Sequence, residues 1–372
     1  MPENIFFLAP RGYGGYSEYE VVLSRIKSSL EYTSKKVPSP LHVTLYIGCS
    51  NEDSIKIEAV DNSGKITAIQ LVTHNYLVFL YTVLKDISNF EASPKLLIAA
   101  DPRLGFLAAY LLKIKMRNSK IQVQLHGNSD LVLGRKGWPK WLRKKYARFL
   151  IKKSDSLRLV SRHQKDSFEK LIGLKIEHEI IAPVPFKVPH KSGAGDRNSI
   201  GFVGRIHAER GLSRWLEIAR VVALAILEFS FVVIGDGPKR EYFLDRLRFT
   251  QREVKFLGWL SRNQLNLQLG KLGILLSTAE SESYGVTLRE ALPAGLHVVA
   301  FENSATQELK SLFPNYVHIS RDNRELTKFI VEFFGRQISD VELKEIRELF
   351  HSQNINSLAQ VGESWATLIN SH

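Results

Sequence analysis

Sulfur is scarce in this chain: among 372 residues there are one cysteine, Cys49, and two methionines. A single thiol cannot form an intramolecular disulfide or build a cysteine metal site, and it fits a reducing compartment. Long apolar runs are missing as well. The longest, Tyr76 to Leu84 and Val221 to Leu227, fall far short of the roughly 20 residues that a spanning helix requires, so none is expected to cross a membrane. The opening MPENIFFLAPRG has a short apolar run after an acidic start, too short for a signal peptide, and no export is expected. There is no low-complexity tract and no D-x-D triplet.

Acid is the scarcer charge. The chain carries 51 Lys and Arg against 38 Asp and Glu, a net charge of +13. That balance favours an anionic partner: nucleic acid, an acidic membrane face, or a phosphorylated small molecule. With 44% hydrophobic and 24% charged residues the composition is that of an ordinary globular protein, and its length suits two domains of roughly 150 to 200 residues.

Short runs rich in Val, Ile, Leu and Phe alternate with helix-period segments, the signature of βαβ units and parallel sheets. In the first half, strands are expected at Ile5 to Ala9, Leu41 to Ile47, Leu96 to Ala100, Ile121 to His126, Leu157 to Val160 and Glu179 to Ala182. Helices are expected at Ser17 to Leu30, Gly105 to Lys115 and Trp138 to Lys153, with a hairpin between Asn51 and Leu71. The stretch PVPFKVPHKSGAGDRNS, Pro183 to Ser199, breaks all periodicity and reads as a linker. The βα rhythm then restarts, with strands at Ile200 to Val203, Phe229 to Ile234, Val254 to Leu257, Gly273 to Leu276 and Val298 to Phe301. From about Asp322 the pattern is helical only. The expected domains are 1–185 and 199–352, joined by 186–198. Two doubly wound sheets facing a cleft follow, with ligands at the carboxyl ends of strands.

Four stretches suggest chemistry. In STAESESYGVTLREALPAG, Glu282 and Glu290 lie either side of Gly285. A helix beginning near Gly285 would aim the amides of Gly285, Val286, Thr287 and Leu288 at an anion, with the glycine giving clearance. Carboxylates beside an anion site make sense when their targets are neutral hydroxyls flanking it, and a nucleotide sugar has that layout. Glu290 then takes ribose hydroxyls and Glu282 those of the sugar; the competing reading is two solvated glutamates. FVGRIHAERG places Arg205 and Arg210 at a strand end, where they could neutralise phosphates or be plain surface arginines. APRGYGGYSEYE puts Gly14 and Gly15 in a strand-to-helix turn that could cradle a phosphate, although Ser17 stands where a dinucleotide fingerprint needs glycine, which disfavours NAD. VQLHGN ends a strand at His126, a candidate proton carrier or an ordinary exposed histidine.

Taken together and in order, FVGRIHAERG, FVVIGDGPKREYFLDRL, VKFLGWLS and STAESESYGVTLREALPAGLHVVA resemble the glycosyltransferases of family 4. GYGGYSEY, VQLHGN and SDSLRLVSRHQKDSF add a weaker match in the first half. The resemblance implies the α/β GT-B fold, two Rossmann-like domains about a central cleft, with the helix at 353–372 packing back toward the first. It implies a retaining enzyme that moves a sugar from a nucleoside diphosphate sugar to a saccharide or lipid-linked acceptor, in surface polysaccharide or glycolipid synthesis, with no metal and no further cofactor. Glu282 would contact the sugar and Glu290 the ribose; Arg205 and Arg210 would stabilise the departing diphosphate; Gly15 would line the phosphate side, and His126 would sit near sugar and acceptor. The chain departs from the family in having Arg210 where lysine is usual, APVPFKV before the linker, and ENSATQEL after Ala300. A sugar-nucleotide epimerase or an inactive binding subunit is the alternative.

GRKGWPKWLRKKYARFLIKKS, Gly134 to Ser154, holds nine Lys or Arg and no acid. Trp138, Trp141, Leu142, Tyr146, Phe149 and Leu150 recur at helical intervals, so 135–153 is either a sheet-packed helix with a solvated basic face or a dock for an anionic leaflet. The expected location is cytoplasmic, with peripheral contact to the inner membrane face. No nucleic-acid reading module is evident, and nucleic acid is not expected as a partner.

Overall fold

A computed structural model describes residues 3–10, 16–49, 56–61, 64–73, 75–87, 93–126, 139–189 and 197–371. The chain divides into two compact units, Met1–Pro185 with Ile355–His372, and Phe186–Asn354.

The first unit contains strands β1 (Glu3–Ala9), β2 (Leu41–Cys49), β3 (Lys56–Asp61), β4 (Gly64–Thr73), β5 (Leu96–Ala99), β6 (Lys120–Leu125), β7 (Ser156–Leu159) and β8 (Glu179–Ile181). They form one sheet in the order β3-β4-β2-β1-β5-β6-β7-β8. All neighbours are parallel except β3, which turns back antiparallel onto β4 as the hairpin pattern suggests. Alternation along the central strands sends Phe6 and Leu8 to one core and Ile5, Phe7 and Ala9 to the other. Burial on both faces is why these strands are continuous apolar runs rather than alternating ones. Residues from helices Tyr76–Ile87, Leu104–Lys115, Lys140–Lys153 and Arg162–Ile172 fill the first core; Ile26 and Leu30 of helix Tyr16–Ser34, with Val361, Trp365, Ala366 and Ile369, fill the second.

The last of these residues belong to the long helix Asp340–Asn370. Its attachment to the first unit is specific: Trp365 Nε1 donates to Gln122 Oε1 at 2.7 Å, and Thr33 Oγ1 donates to the Gly362 carbonyl at 3.0 Å. A Cβ on Gly362 would lie 2.2 Å from the Ser29 carbonyl oxygen, so glycine is what lets this helix approach helix Tyr16–Ser34.

The second unit contains β9 (Ser199–Val203), β10 (Ser230–Ile234), β11 (Glu253–Gly258), β12 (Ile274–Ser277), β13 (His297–Phe301) and β14 (Val317–Ser320), in the order β11-β10-β9-β12-β13-β14 and all parallel. The four-residue β14, VHIS, is the strand that the sequence pattern does not announce. Helices Leu212–Ala225, Arg240–Arg248 and Asn323–Phe333 cover one face, and Arg262–Leu269, Val286–Ala291 and Ser304–Leu312 the other. The stretch read as a linker begins inside this unit: Phe186 and Val188 are buried in its core, and Asn354 Nδ2 donates to the Phe186 carbonyl at 2.6 Å.

Chain order reverses between β9 and β12, which lie side by side while their successors run outward in opposite directions. Such a switch point opens a crevice at the carboxyl ends of the two strands. The loops there are Gly204–Gly211 and Thr278–Gly285.

Candidate active site

Those two loops are stitched together. Thr278, buried at the end of β12, sets its hydroxyl 3.0 Å from the Arg210 carbonyl and 2.9 Å from the Gly211 carbonyl. Gly211 has φ +66°, and a Cβ there would meet the Thr278 carbonyl oxygen at 2.1 Å. Only glycine fits both the left-handed backbone and the close approach. Trp215 Nε1 donates to the Leu276 carbonyl at 3.1 Å, and Asn303 Nδ2 to the Ala279 carbonyl at 2.9 Å, so the loop after β12 is held from both sides.

This scaffold brings Arg210 and Glu282 into a direct ion pair, donated by Arg210 Nη1 to Glu282 Oε1. Arg210 ends a 3-10 turn, Ala208–Arg210, capped by His207. Burial lowers the pKa of its guanidinium, yet an arginine so placed stays charged. Arg205, five residues earlier, is exposed and has no hydrogen-bond or ionic partner among the described residues.

Gly285 opens helix Val286–Ala291 with φ +67°. The clearance that its sequence suggests has a local cause: a Cβ at this position would lie 3.1 Å from Leu288 Cδ1, so the glycine accommodates both the left-handed turn and its own helix's leucine. Val286 and Thr287 are half-buried, whereas Gly285 and Leu288 are buried. The accessible first-turn positions are therefore Val286 and Thr287, whose amides precede the first intrahelical donor, the Arg289 amide bonded to the Gly285 carbonyl. Glu290 lies on the inner side of this helix, almost fully buried.

Two arginines enter the site without any local sequence signal. Arg262 Nη1 donates to Glu290 Oε1 at 2.6 Å. Arg289 is buried, with its guanidinium stacked 3.8 Å from the centroid of the Tyr284 ring, hydrogen-bonded to the Tyr284 carbonyl, and 3.3 Å from Glu308 Oε1. It ties the loop bearing Glu282 to helix Ser304–Leu312. A capping box at Ser261 and Gln264 could have revealed the start of the helix carrying Arg262, but not its partner.

His126 belongs to the first unit, just beyond β6. Its Nε2 lies 2.9 Å from Gln124 Oε1, and desolvation, with Arg158 and Arg25 nearby, pushes its pKa down although the residue keeps an exposed surface. The ring is thus neutral at physiological pH. Gly14 and Gly15 follow β1 but lie outside the described residues, as does Trp138. Among the described residues no group of three or more His, Cys, Asp or Glu is arranged to hold a metal, and no helix is long and apolar enough to cross a membrane.

Residues 187–325 match the family model of glycosyl transferases group 1, a stretch that includes every candidate residue of the second unit. The chain is 27% identical over 127 residues to 2-deoxystreptamine N-acetyl-D-glucosaminyltransferase of Niallia circulans, covering 34% of this chain and 33% of that protein. It is 34% identical over 119 residues to 2-deoxystreptamine glucosyltransferase of Streptomyces kanamyceticus, covering 31% and 30%. The matches thus span about a third of the length of these relatives. The fold extends much further: sucrose-phosphate synthase of Thermosynechococcus elongatus superposes over 99% of both chains with a TM-score of 0.74 at 13% identity. The Anabaena protein HepE, in complex with UDP-glucose, superposes over 98% of this chain and 99% of its own with a TM-score of 0.68 at 13% identity. The architecture is GT-B.

Proposed function

We propose that the protein is a retaining glycosyltransferase of family 4 type, moving a sugar from a nucleoside diphosphate sugar to a saccharide or lipid-linked acceptor in surface polysaccharide or glycolipid synthesis. The observation that carries this reading is the coupling of Arg210 to Glu282 across the switch point, inside the segment that matches the family model. Structural relatives that hold UDP-glucose support the donor class.

In this reading Glu290 receives the ribose hydroxyls and Glu282 the hydroxyls of the transferred sugar. Between them the diphosphate meets Arg205, Arg210 and the amides of Val286 and Thr287. The acceptor oxygen bonds to the anomeric carbon on the face that the diphosphate leaves, as the bond from that carbon to the β-phosphate oxygen breaks. The departing phosphate oxygen takes the acceptor proton. Charge grows on the diphosphate as the bond breaks, so cations and amides fixed around it stabilise the transition state more than the ground state. Neutral His126 serves the acceptor side as a hydrogen-bonding group, with Gly14 and Gly15 lining the phosphates. No metal or further cofactor is needed.

Product analysis with and without an acceptor separates the alternatives. Transfer gives an acceptor-dependent glycoside with the donor's anomeric configuration; epimerisation of the donor, or no turnover with tight binding, would replace this reading with an epimerase or an inactive binding subunit.

We also propose a peripheral, cytoplasmic location on an anionic membrane face, in preference to nucleic acid. Tyr146, Phe149 and Leu150 turn the apolar side of helix Lys140–Lys153 onto its own unit, but Trp141 is 60% exposed, with the Lys145 ammonium 5.3 Å from its ring. An aromatic and cations on one solvent face suit a headgroup layer. Flotation with anionic vesicles at low salt tests this, and a gel shift with nucleic acid tests the competitor.

A further inference from the structure

Arg262 occupies a position that the proposed reaction has not yet used. It is the first residue of helix Arg262–Leu269, fixed by a reciprocal cap in which the Ser261 hydroxyl accepts from the Gln264 amide and Gln264 Oε1 accepts from the Ser261 amide. Its side chain is 45% exposed, while that of its partner Glu290 is 2% exposed. A guanidinium carries five N–H donors in a plane and no acceptor. One bond to Glu290 leaves donors directed at solvent beside that carboxylate.

The sheet order gives this position a direction. Glu282 follows β12 and meets Arg210 from the loop after β9, whereas Arg262 reaches Glu290 from the loop after β11, the far edge of the sheet. With the ribose on Glu290 and the sugar toward Glu282, the base lies on the β11 side. The loop after β11 carries Arg262 and, three residues earlier, Trp259, which is 65% exposed.

We propose that Arg262 reads the donor base and selects uracil against guanine. A group beside the ribose 2′-hydroxyl faces the base edge that carries O2 in a pyrimidine and N3 in a purine, and guanine adds its N2 amino donor on that edge. The guanidinium donates to uracil O2. Against guanine it meets the N2 amino group donor to donor, which leaves both unsatisfied. Adenine presents N3 alone and falls between the two. The exposed Trp259 offers a face on which any base can stack, so discrimination falls to Arg262. This inference rests on the assignment of Glu290 to the ribose.

Calorimetric titration of the full chain with UDP, ADP and GDP tests it, using wild type, Arg262→Gln and Arg262→Lys. Gln can accept from guanine as well as donate to uracil, whereas Lys, which like Arg only donates, keeps a cation on Glu290 and should retain the preference for UDP. Wild type should bind UDP at least about 10-fold more tightly than GDP, and Arg262→Gln should narrow that ratio to about threefold or less. Equal binding of UDP and GDP by wild type, a ratio unchanged in Arg262→Gln, or a ratio lost in Arg262→Lys overturns the base assignment while leaving the donor class standing. Binding of no nucleoside diphosphate overturns both.

Discussion

Arg210 and Glu282 hold each other across the switch point of the second unit, one from the loop after β9 and the other from the loop after β12. Each is assigned to a different part of the same donor, Arg210 to the diphosphate and Glu282 to the sugar. In the proposed reaction the donor therefore competes with each of these groups for the other. The planar fork of an arginine is suited to such a carboxylate contact.

This pairing predicts an asymmetric response in Glu282→Gln. A neutral amide competes less for Arg210, so bare nucleoside diphosphate should bind about two- to fivefold more tightly than to wild type, while turnover falls by about 100-fold or more for want of the sugar contact. Calorimetry with the diphosphate and an initial-rate assay measure the two effects separately. Weaker binding of the bare diphosphate would mean that Glu282 holds Arg210 in place for the phosphates instead of competing for it.

Arg289 should matter for the rigidity of the same loop. Arg289→Met removes a buried cation from the Tyr284 ring and the hydrogen bond to the Tyr284 carbonyl, at a cost of about 2 to 3 kcal/mol. Chemical denaturation should show that loss. An unchanged midpoint would mean that the loop is held by Thr278 and Asn303 alone.

Acid should weaken the second unit through a buried pair of imidazoles. His297 Nδ1 and His318 Nε2 lie 3.2 Å apart, and the His318 ring stacks 3.8 Å from Phe333. Burial first, then Arg336 and Arg197 around His297 and His297 and Lys310 around His318, push both pKa values from 6.5 down to about 4. Depressed histidine pKa values mean that the unfolded chain binds more protons between those limits. The stabilisation is complete above about pH 6.5 and is lost as pH falls toward 4. Melting temperatures across that interval should fall, and His318→Gln should make the dependence shallower; a flat profile in wild type would contradict the burial of the pair.

Metal independence is a separate expectation, drawn from the want of a D-x-D triplet. Turnover in excess EDTA should equal that without it. Loss of activity restored by Mg²⁺ or Mn²⁺ would show that an ion joins the diphosphate.

The sequence was most informative where burial is two-sided. β1, β5, β9, β10, β12 and β13 are short apolar runs because both faces of the sheet are covered, and pattern reading finds them. β14 escaped because four residues, two of them polar, carry no such run. Glu282 and Glu290 were visible as a spaced pair around a glycine. Their arginines differed: Arg210 stood in a recognisable strand-end motif, whereas Arg262 lies 28 residues from Glu290 and reaches it only because helices Arg262–Leu269 and Val286–Ala291 pack side by side. Gly285 was legible as a glycine that mattered, and its positive φ and the neighbouring Leu288 add a structural reason that the sequence does not carry.

The central claim is that the second unit grips a nucleoside diphosphate sugar with Glu290 on the ribose. Its most direct test is calorimetric titration of the full-length protein with a panel of nucleoside diphosphate sugars, repeated with Glu290→Gln. At least one sugar nucleotide should bind wild type, and Glu290→Gln should weaken it by about 10-fold or more, for the bare diphosphate as well as for the sugar nucleotide. No binding across the panel, or equal binding by Glu290→Gln, would contradict the account.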